Sequence, residues 1–130
     1  MTRAVDTNVL VRWLLGDNEE QTKRANEIVE EGAYVPLTVA LEVEWVLRSV
    51  FGLPKSIVAE AIERMLRVET LQIDDGEALF WALERYRSGA DWADCIHLIG
   101  ARTATSFATF DHRLARQAGP GSPVPIDTLR

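Results

Sequence analysis

Residues 5–10, Val-Asp-Thr-Asn-Val-Leu, constrain the fold more than any other part of the chain. A short β-prone run ends there in the carboxylate of Asp6, and an apolar helical pattern begins at the next residue. In open α/β sheets, ligands bind at the carboxyl ends of the strands. Asp6 is therefore predicted to lie at a ligand-binding edge of a sheet.

Strand patterns alternate with helical patterns along the rest of the chain. Helices are predicted at about residues 7–15, 19–31, 38–51, 55–66, 75–87, 91–103 and 111–117. Short strands are predicted at residues 3–6, 34–36, 68–73, 106–110 and 124–126. This alternation indicates a parallel sheet covered by helices on both faces. The 130 residues, 47% of them hydrophobic, are expected to form a single domain over residues 1–130.

Composition excludes several classes of protein. A single cysteine, Cys95, allows neither an internal disulfide nor a cysteine-based zinc site. The start of the sequence lacks the long apolar region of a secretory signal, and no run of about 18 apolar residues is present, so we expect a cytoplasmic protein without a leader or a membrane span. At a formal charge of −6, any phosphate binding must depend on metal ions and local arginines. The candidates are Arg12, Arg48, Arg102 and Arg113.

Three further acidic residues, Glu42, Asp94 and Asp111, follow the pattern of Asp6 and lie near predicted strand ends or helix starts. Carboxylates gathered in one pocket repel each other unless cations hold them. The pattern therefore predicts a metal-dependent enzyme. Oxygen ligands without a His/Cys cluster favour Mg²⁺ or Mn²⁺ over zinc. We expect Asp6 and Asp94 to hold one ion, with Glu42 reaching it directly or through water.

Helix capping is the competing interpretation of these aspartates. Asp6 and Asp111 each precede a predicted helix, and Asp is favoured at that position. Thr7 is an equally good cap and would leave Asp6 free. Asp91 is interpreted as an N-cap three residues before Asp94, with an auxiliary role at the site. Asn8 and Thr109 are the other supporting candidates, since each can position a water molecule or a neighbouring carboxylate.

Two glutamates of the third helix are distinguished by their neighbours. Glu44 has Arg48 one turn later and is interpreted as an ordinary solvated ion pair. Glu42 lies at the margin of the apolar face without a basic residue one turn away. Either a metal ion reaches Glu42, or its side chain tilts into solvent.

Four segments resemble, in order and spacing, the PIN-domain nucleases, and more closely the VapC toxins of bacterial toxin–antitoxin pairs. They are Asp-Thr-Asn-Val-Leu at 6–10, Thr-Val-Ala-Leu-Glu-Val at 38–43, Gly-Ala-Asp-Trp-Ala-Asp-Cys-Ile-His-Leu at 89–98, and Ala-Thr-Phe-Asp at 108–111. The resemblance covers essentially the whole chain. It implies a PIN-like three-layer α/β fold, in which helices flank a parallel sheet of about five strands, often in the order 3-2-1-4-5.

The same resemblance implies a function and a set of residues. It implies a Mg²⁺- or Mn²⁺-dependent endoribonuclease that forms a homodimer and is inhibited by a cognate VapB-like antitoxin. The acidic positions of the family fall on Asp6, Glu42, Asp94 and Asp111, and its supporting Ser/Thr falls on Thr109. The fourth acidic position varies within the family.

Two other classes of function stay open. One is a phosphoryl-transfer enzyme with a strand-end Asp nucleophile, although Asn8 occupies the place where a second Asp is usual. The other is a non-catalytic PIN-like binding module in which the carboxylates serve only as helix caps.

Overall fold

The computed structural model describes residues 2–130, and five short strands and seven α-helices lie in that range. The strands are β1 (Arg3–Ala4), β2 (Ala33–Val35), β3 (Leu71–Ile73), β4 (Phe107–Thr109) and β5 (Ile126–Thr128). The helices are α1 (Thr7–Leu15), α2 (Glu19–Glu31), α3 (Leu37–Trp45), α4 (Lys55–Arg67), α5 (Gly76–Arg87), α6 (Trp92–Gly100) and α7 (Leu114–Ala118). Within residues 2–130, none of these helices has the length and apolar character needed to cross a bilayer.

Local signals set the bounds of α1 and α2, and both helices were predicted with the correct limits. Gly16 ends α1 with a left-handed φ of 65°, and its N–H donates to the carbonyl of Arg12 at 2.9 Å. Glycine adopts this conformation without a steric cost from a Cβ atom. The side chain of Asn18 accepts a hydrogen bond from the N–H of Gln21 and caps α2.

The helix predicted over residues 38–51 is interrupted. α3 ends at Trp45 and continues as a wider π-helical segment, Val46–Val50, in which the N–H of Phe51 donates to the carbonyl of Val46. The extra residue in the turn rotates later side chains by roughly 100° about the axis. Val50, predicted on the buried face, is consequently 62% exposed.

The chain divides into two compact units, the first Met1–Gly76 and the second Glu77–Arg130. In the first unit, β1, β2 and β3 form a parallel sheet in that order, with Ala33 opposite both Arg3 and Leu71. Its core consists of aliphatic side chains with no solvent exposure, which include Leu10, Val35, Val43, Leu47, Ile62 and Met65. The expectation of a single domain over residues 1–130 stays a prediction.

In the second unit, β4 and β5 form a parallel pair with Phe107 opposite Ile126. Both side chains pack against a core formed by Leu98, Leu114, Ala118 and Val124. The rings of Tyr86 and Trp92 contact edge to face, with centroids 5.8 Å apart. This unit therefore has an apolar core of its own.

The predicted α/β class with parallel strands is confirmed, but the single sheet of about five strands is wrong. The five strands form a three-stranded and a two-stranded sheet. Each strand is only two or three residues long, so each ladder contains few hydrogen bonds and the helices provide most of the buried surface. The three-layer arrangement implied by the family resemblance stays a prediction.

Candidate metal centre

Asp6 lies just beyond β1, where the chain enters α1. Its backbone is extended, and its Oδ1 accepts a hydrogen bond from the N–H of Val9 at 3.2 Å. Asp6 is therefore the N-cap of α1, and the suggestion that Thr7 caps this helix in its place is wrong. The Asp6 side chain is exposed, and its capping bond uses only Oδ1.

A buried hydroxyl connects α1 to α3. Thr7 is only 6% exposed, and its Oγ1 donates to Oε1 of Glu42 at 2.5 Å. This length is typical of a hydroxyl donating to a charged carboxylate. The bond holds Glu42 against the residue that directly follows Asp6. Sequence reasoning missed this role, although a threonine on the buried face of an apolar helix, right after a strand-end aspartate, was a usable signal.

The two glutamates of α3 differ in burial. Glu42 is exposed, whereas Glu44 is 5% exposed and its Oε2 lies 2.7 Å from Nε of Arg48. The predicted pair of Glu44 with Arg48 is confirmed, but its description as solvated is wrong. A buried carboxylate needs a cationic partner, and Arg48 supplies one. Glu42 is thus the glutamate that an external cation can reach.

Asp91 and Asp94 lie at the start of α6. Asp91 is the N-cap, as predicted, and its Oδ1 accepts a hydrogen bond from the N–H of Asp94 at 2.9 Å. Partial burial raises the pKa of the Asp94 carboxyl above its ordinary value, and the negative charges of Asp91 and Asp111 raise it further, while His97 opposes the shift. The folded protein therefore holds Asp94 in its ionised form at a cost in free energy.

Asp111 lies in the turn between β4 and α7. Its N–H donates to Oγ1 of Thr109 at 3.0 Å, and its Oδ1 accepts from the N–H of Arg113 at 2.9 Å. The capping interpretation of Asp111 is therefore replaced by an Asx-type turn, since α7 begins only at Leu114. The hydroxyl of Thr109 supports the Asp111 backbone, while the Asp111 side chain stays exposed.

The predicted carboxylates thus occur in two sets. The bond from Thr7 holds Glu42 in the first unit, and in the second unit the charges of Asp91 and Asp111 raise the pKa of Asp94. Within residues 2–130, no three His, Cys, Asp or Glu side chains are arranged as a group that could hold a metal ion. The full ligand set of Asp6, Glu42, Asp94 and Asp111 therefore stays a prediction. The donor chemistry fits a hard divalent cation, because every candidate offers carboxylate oxygens and Asp94 would gain most from neutralisation.

A groove of 390 Å³ opens beside Asp6 in the first unit. Amides and guanidinium groups line it together with an apolar floor; the residues are Asn8, Gln21, Arg12, Arg24, Val9, Ala25 and Ile28. Asn8 is exposed and lines this groove, two residues after Asp6 in the sequence. Its predicted supporting role is compatible with that position and stays a prediction.

The four arginines proposed to steer a phosphate backbone differ in how close their protein partners lie. Three have close partners: Arg12 with Asp17, Arg48 with Glu44, and Arg102 with the carbonyl of Ile99. The Arg113 side chain is 73% exposed, and its Nε lies 3.9 Å from Oδ1 of Asp111. A surface pair at this distance contributes little stability, so Arg113 can exchange Asp111 for another anion.

In a parallel α/β fold, ligands usually bind where a strand ends and the next helix begins, and Asp6 lies at such a junction. The PIN-domain family model matches residues 3–120, and the chain belongs to that family. PIN domains are generally metal-dependent nucleases, which makes nucleic acid the substrate class indicated by the family. No curated protein and no solved structure gives a significant match.

Proposed function

We propose that this protein is a Mg²⁺- or Mn²⁺-dependent endoribonuclease, the VapC-type toxin of a toxin–antitoxin pair. The observation that carries the proposal is the match of the PIN-domain family model to residues 3–120. The negative charges of Asp91 and Asp111, together with partial burial, disfavour the Asp94 anion and support the proposal. A fold gains nothing from such repulsion by itself, whereas a divalent cation converts it into binding free energy.

The proposed roles of the residues rest on the family resemblance and on their donor chemistry. Asp6, Asp94 and Glu42 would hold the ion, and Asp111 is the fourth catalytic carboxylate. A bound divalent ion supplies charge neutralisation on the phosphodiester and a lowered pKa for an attacking water. Thr7 holds Glu42 through its hydroxyl. Asp91 presents the start of α6, and Thr109 supports the backbone of Asp111.

The choice of RNA, of the toxin role and of the partners is supported by the resemblance of the four segments to VapC toxins. By that resemblance the protein acts as one domain in a cytoplasmic homodimer, and a VapB-like antitoxin inserts a segment into its site. Co-expression with the product of the adjacent reading frame tests the pairing: the two proteins should co-purify, and the partner should suppress cleavage.

The decisive experiment measures cleavage of RNA with Mg²⁺ or Mn²⁺ alongside thermal melting. We expect Asp6→Asn and Asp94→Asn to melt as cooperatively as the wild type and to lose cleavage by at least about 100-fold. Asp127→Asn, an exposed aspartate of β5, is the matched control and should keep full activity.

Two further arms separate the competing functions. Hydrolysis of small phosphomonoesters without RNA cleavage would favour an Asp-nucleophile phosphoryl-transfer enzyme. Absence of saturable Mn²⁺ binding in the folded protein would leave only a non-catalytic module. Full RNA cleavage by folded Asp94→Asn protein would contradict the assignment of the site.

A further inference from the structure

Phe110 is the most exposed large hydrophobic side chain among residues 2–130, with 71% of its surface accessible. It follows β4 directly. Within β4, Phe107 packs against the core of the second unit while the next residue, Ala108, is exposed. Side chains alternate along a strand, so Phe110 falls on the outward side with Ala108. The strand period therefore keeps this ring out of the core.

The backbone on both sides of Phe110 is held in place. The carbonyl of Thr109 accepts from the N–H of Leu129 at 2.7 Å, and the hydroxyl of Thr109 accepts from the N–H of Asp111 at 3.0 Å. The Asx-type turn then ties Asp111 to the N–H of Arg113. Because these hydrogen bonds already restrict the backbone around Phe110, little backbone entropy is lost when a ligand covers its ring.

A single exposed phenylalanine is unremarkable on most surfaces, so its neighbours decide its significance. Phe110 is followed by the candidate ligand Asp111, and Arg113 lies two residues further on with its guanidinium largely exposed. An aromatic face can stack on a base and a guanidinium can contact a phosphate, and these two groups flank the candidate ligand Asp111 within four residues. One turn thus presents an aromatic ring and a guanidinium group on either side of Asp111.

We propose that Phe110 stacks on a nucleobase next to the cleaved bond while Arg113 contacts the backbone phosphate. This inference rests on the proposed nuclease function and specifies its substrate: an unpaired nucleic-acid segment. In a duplex the base faces are covered by their neighbours, so a stacking side chain selects single strands and loops. Phe110 is thereby a specificity-determining residue.

The test measures binding in the non-cleaving Asp94→Asn protein, so that the outcome does not depend on catalysis. A fluorescein-labelled single-stranded RNA is titrated with this protein, with and without Phe110→Ala, and polarisation is recorded. We expect Phe110→Ala to weaken binding about 5- to 100-fold. Phe110→Trp should restore binding to within about threefold of the parent, since it keeps a stacking surface. Phe80→Ala, which alters another exposed phenylalanine of the second unit, is the matched control and should bind as the parent does.

Stacking is isolated by changing the RNA as well as the protein. On an oligonucleotide whose nucleotides at the contacted positions are abasic, the parent and Phe110→Ala proteins should bind equally. Unchanged affinity in Phe110→Ala, or an equal loss on normal and abasic strands, overturns the proposal. So does a change of oligomeric state in light scattering, which would show that Phe110 contacts a second copy of the chain. If binding depends on Phe110 but the wild type cleaves no RNA, the nuclease proposal fails, and of the inference only the stacking of Phe110 on a base stands.

Discussion

The hydroxyl of Thr7 donates to the carboxylate of Glu42 at 2.5 Å and thereby ties the first turn of α1 to the middle of α3. The two residues are 35 positions apart in sequence. Because Thr7 is buried and directly follows Asp6, the bond holds a helical glutamate near a strand-end aspartate. The bond therefore fixes the position of the Glu42 carboxylate.

Thr7→Val should weaken Mn²⁺ binding by about 10- to 100-fold, the usual range when a group that orients a metal ligand is removed. Valine keeps the shape of threonine and leaves no buried donor unpaired, so the melting temperature should stay close to that of the wild type. Calorimetric titration with Mn²⁺ measures the effect. Thr7→Ser retains the hydroxyl and should restore most of the affinity, and equal affinity in all three proteins would contradict this role.

Glu42→Gln and Glu44→Gln form a matched pair on one helix. Glu42→Gln keeps an acceptor for Thr7 but removes the exposed charge, so Mn²⁺ affinity should fall at least about tenfold with little change in melting. Glu44→Gln removes the charge of a buried carboxylate that pairs with the half-exposed Arg48, and it should lower the free energy of unfolding by about 1–3 kcal/mol without changing Mn²⁺ affinity. Chemical denaturation and titration together decide. The opposite pattern would show that Glu44 is the ligand.

Asp94 predicts a pH dependence of stability in metal-free protein. Because its pKa is raised in the folded state, the native protein binds the Asp94 proton more tightly than the unfolded chain does. The free-energy penalty for ionising Asp94 in the folded protein is fully present above the raised pKa. It disappears as the pH falls from there through the ordinary pKa range of aspartate. Relative to Asp94→Asn, the wild type should therefore gain stability on acidification.

Urea denaturation of both proteins in EDTA, at several values between about pH 4 and 7, checks this sign. The other carboxylates are shared by the two proteins and largely cancel in the difference. Added Mn²⁺ should stabilise the wild type at neutral pH more than Asp94→Asn, since the ion relieves the repulsion. The direction of the Asp94 pKa shift would be contradicted if the free energy of unfolding of the wild type, minus that of Asp94→Asn, increased with pH.

Asp91 is predicted to contribute to the stability of the fold. Asp91→Ala removes the side-chain cap of α6 and should cost about 0.5–2 kcal/mol of stability. Asp91→Ser keeps a capping oxygen and should recover most of it, while both variants lose the charge next to Asp94. Thermal melting separates the two effects. Equal melting of the alanine and serine variants would show that capping contributes nothing here.

Much of the local structure was predictable, because its causes lie within one helical turn. Gly16 ends α1, Asn18 caps α2 and Asp91 caps α6, and each of these signals acts through a backbone group at most four residues away. Likewise, the order and spacing of the four acidic segments indicated the PIN-domain family that the comparison confirmed. These conclusions required no knowledge of long-range contacts.

The sequence by itself therefore determined the alternation of helices and strands, the ends of α1 and α2, the cap of α6 and the family. Only the tertiary structure decided that Glu44 is buried, that Thr7 holds Glu42, that a π-helical turn exposes Val50, and that the short strands divide into two sheets. Capping depends on groups a few residues away along the chain. Burial, strand pairing and a hydrogen bond across 35 residues depend on which distant segments pack together, and local patterns do not contain that information.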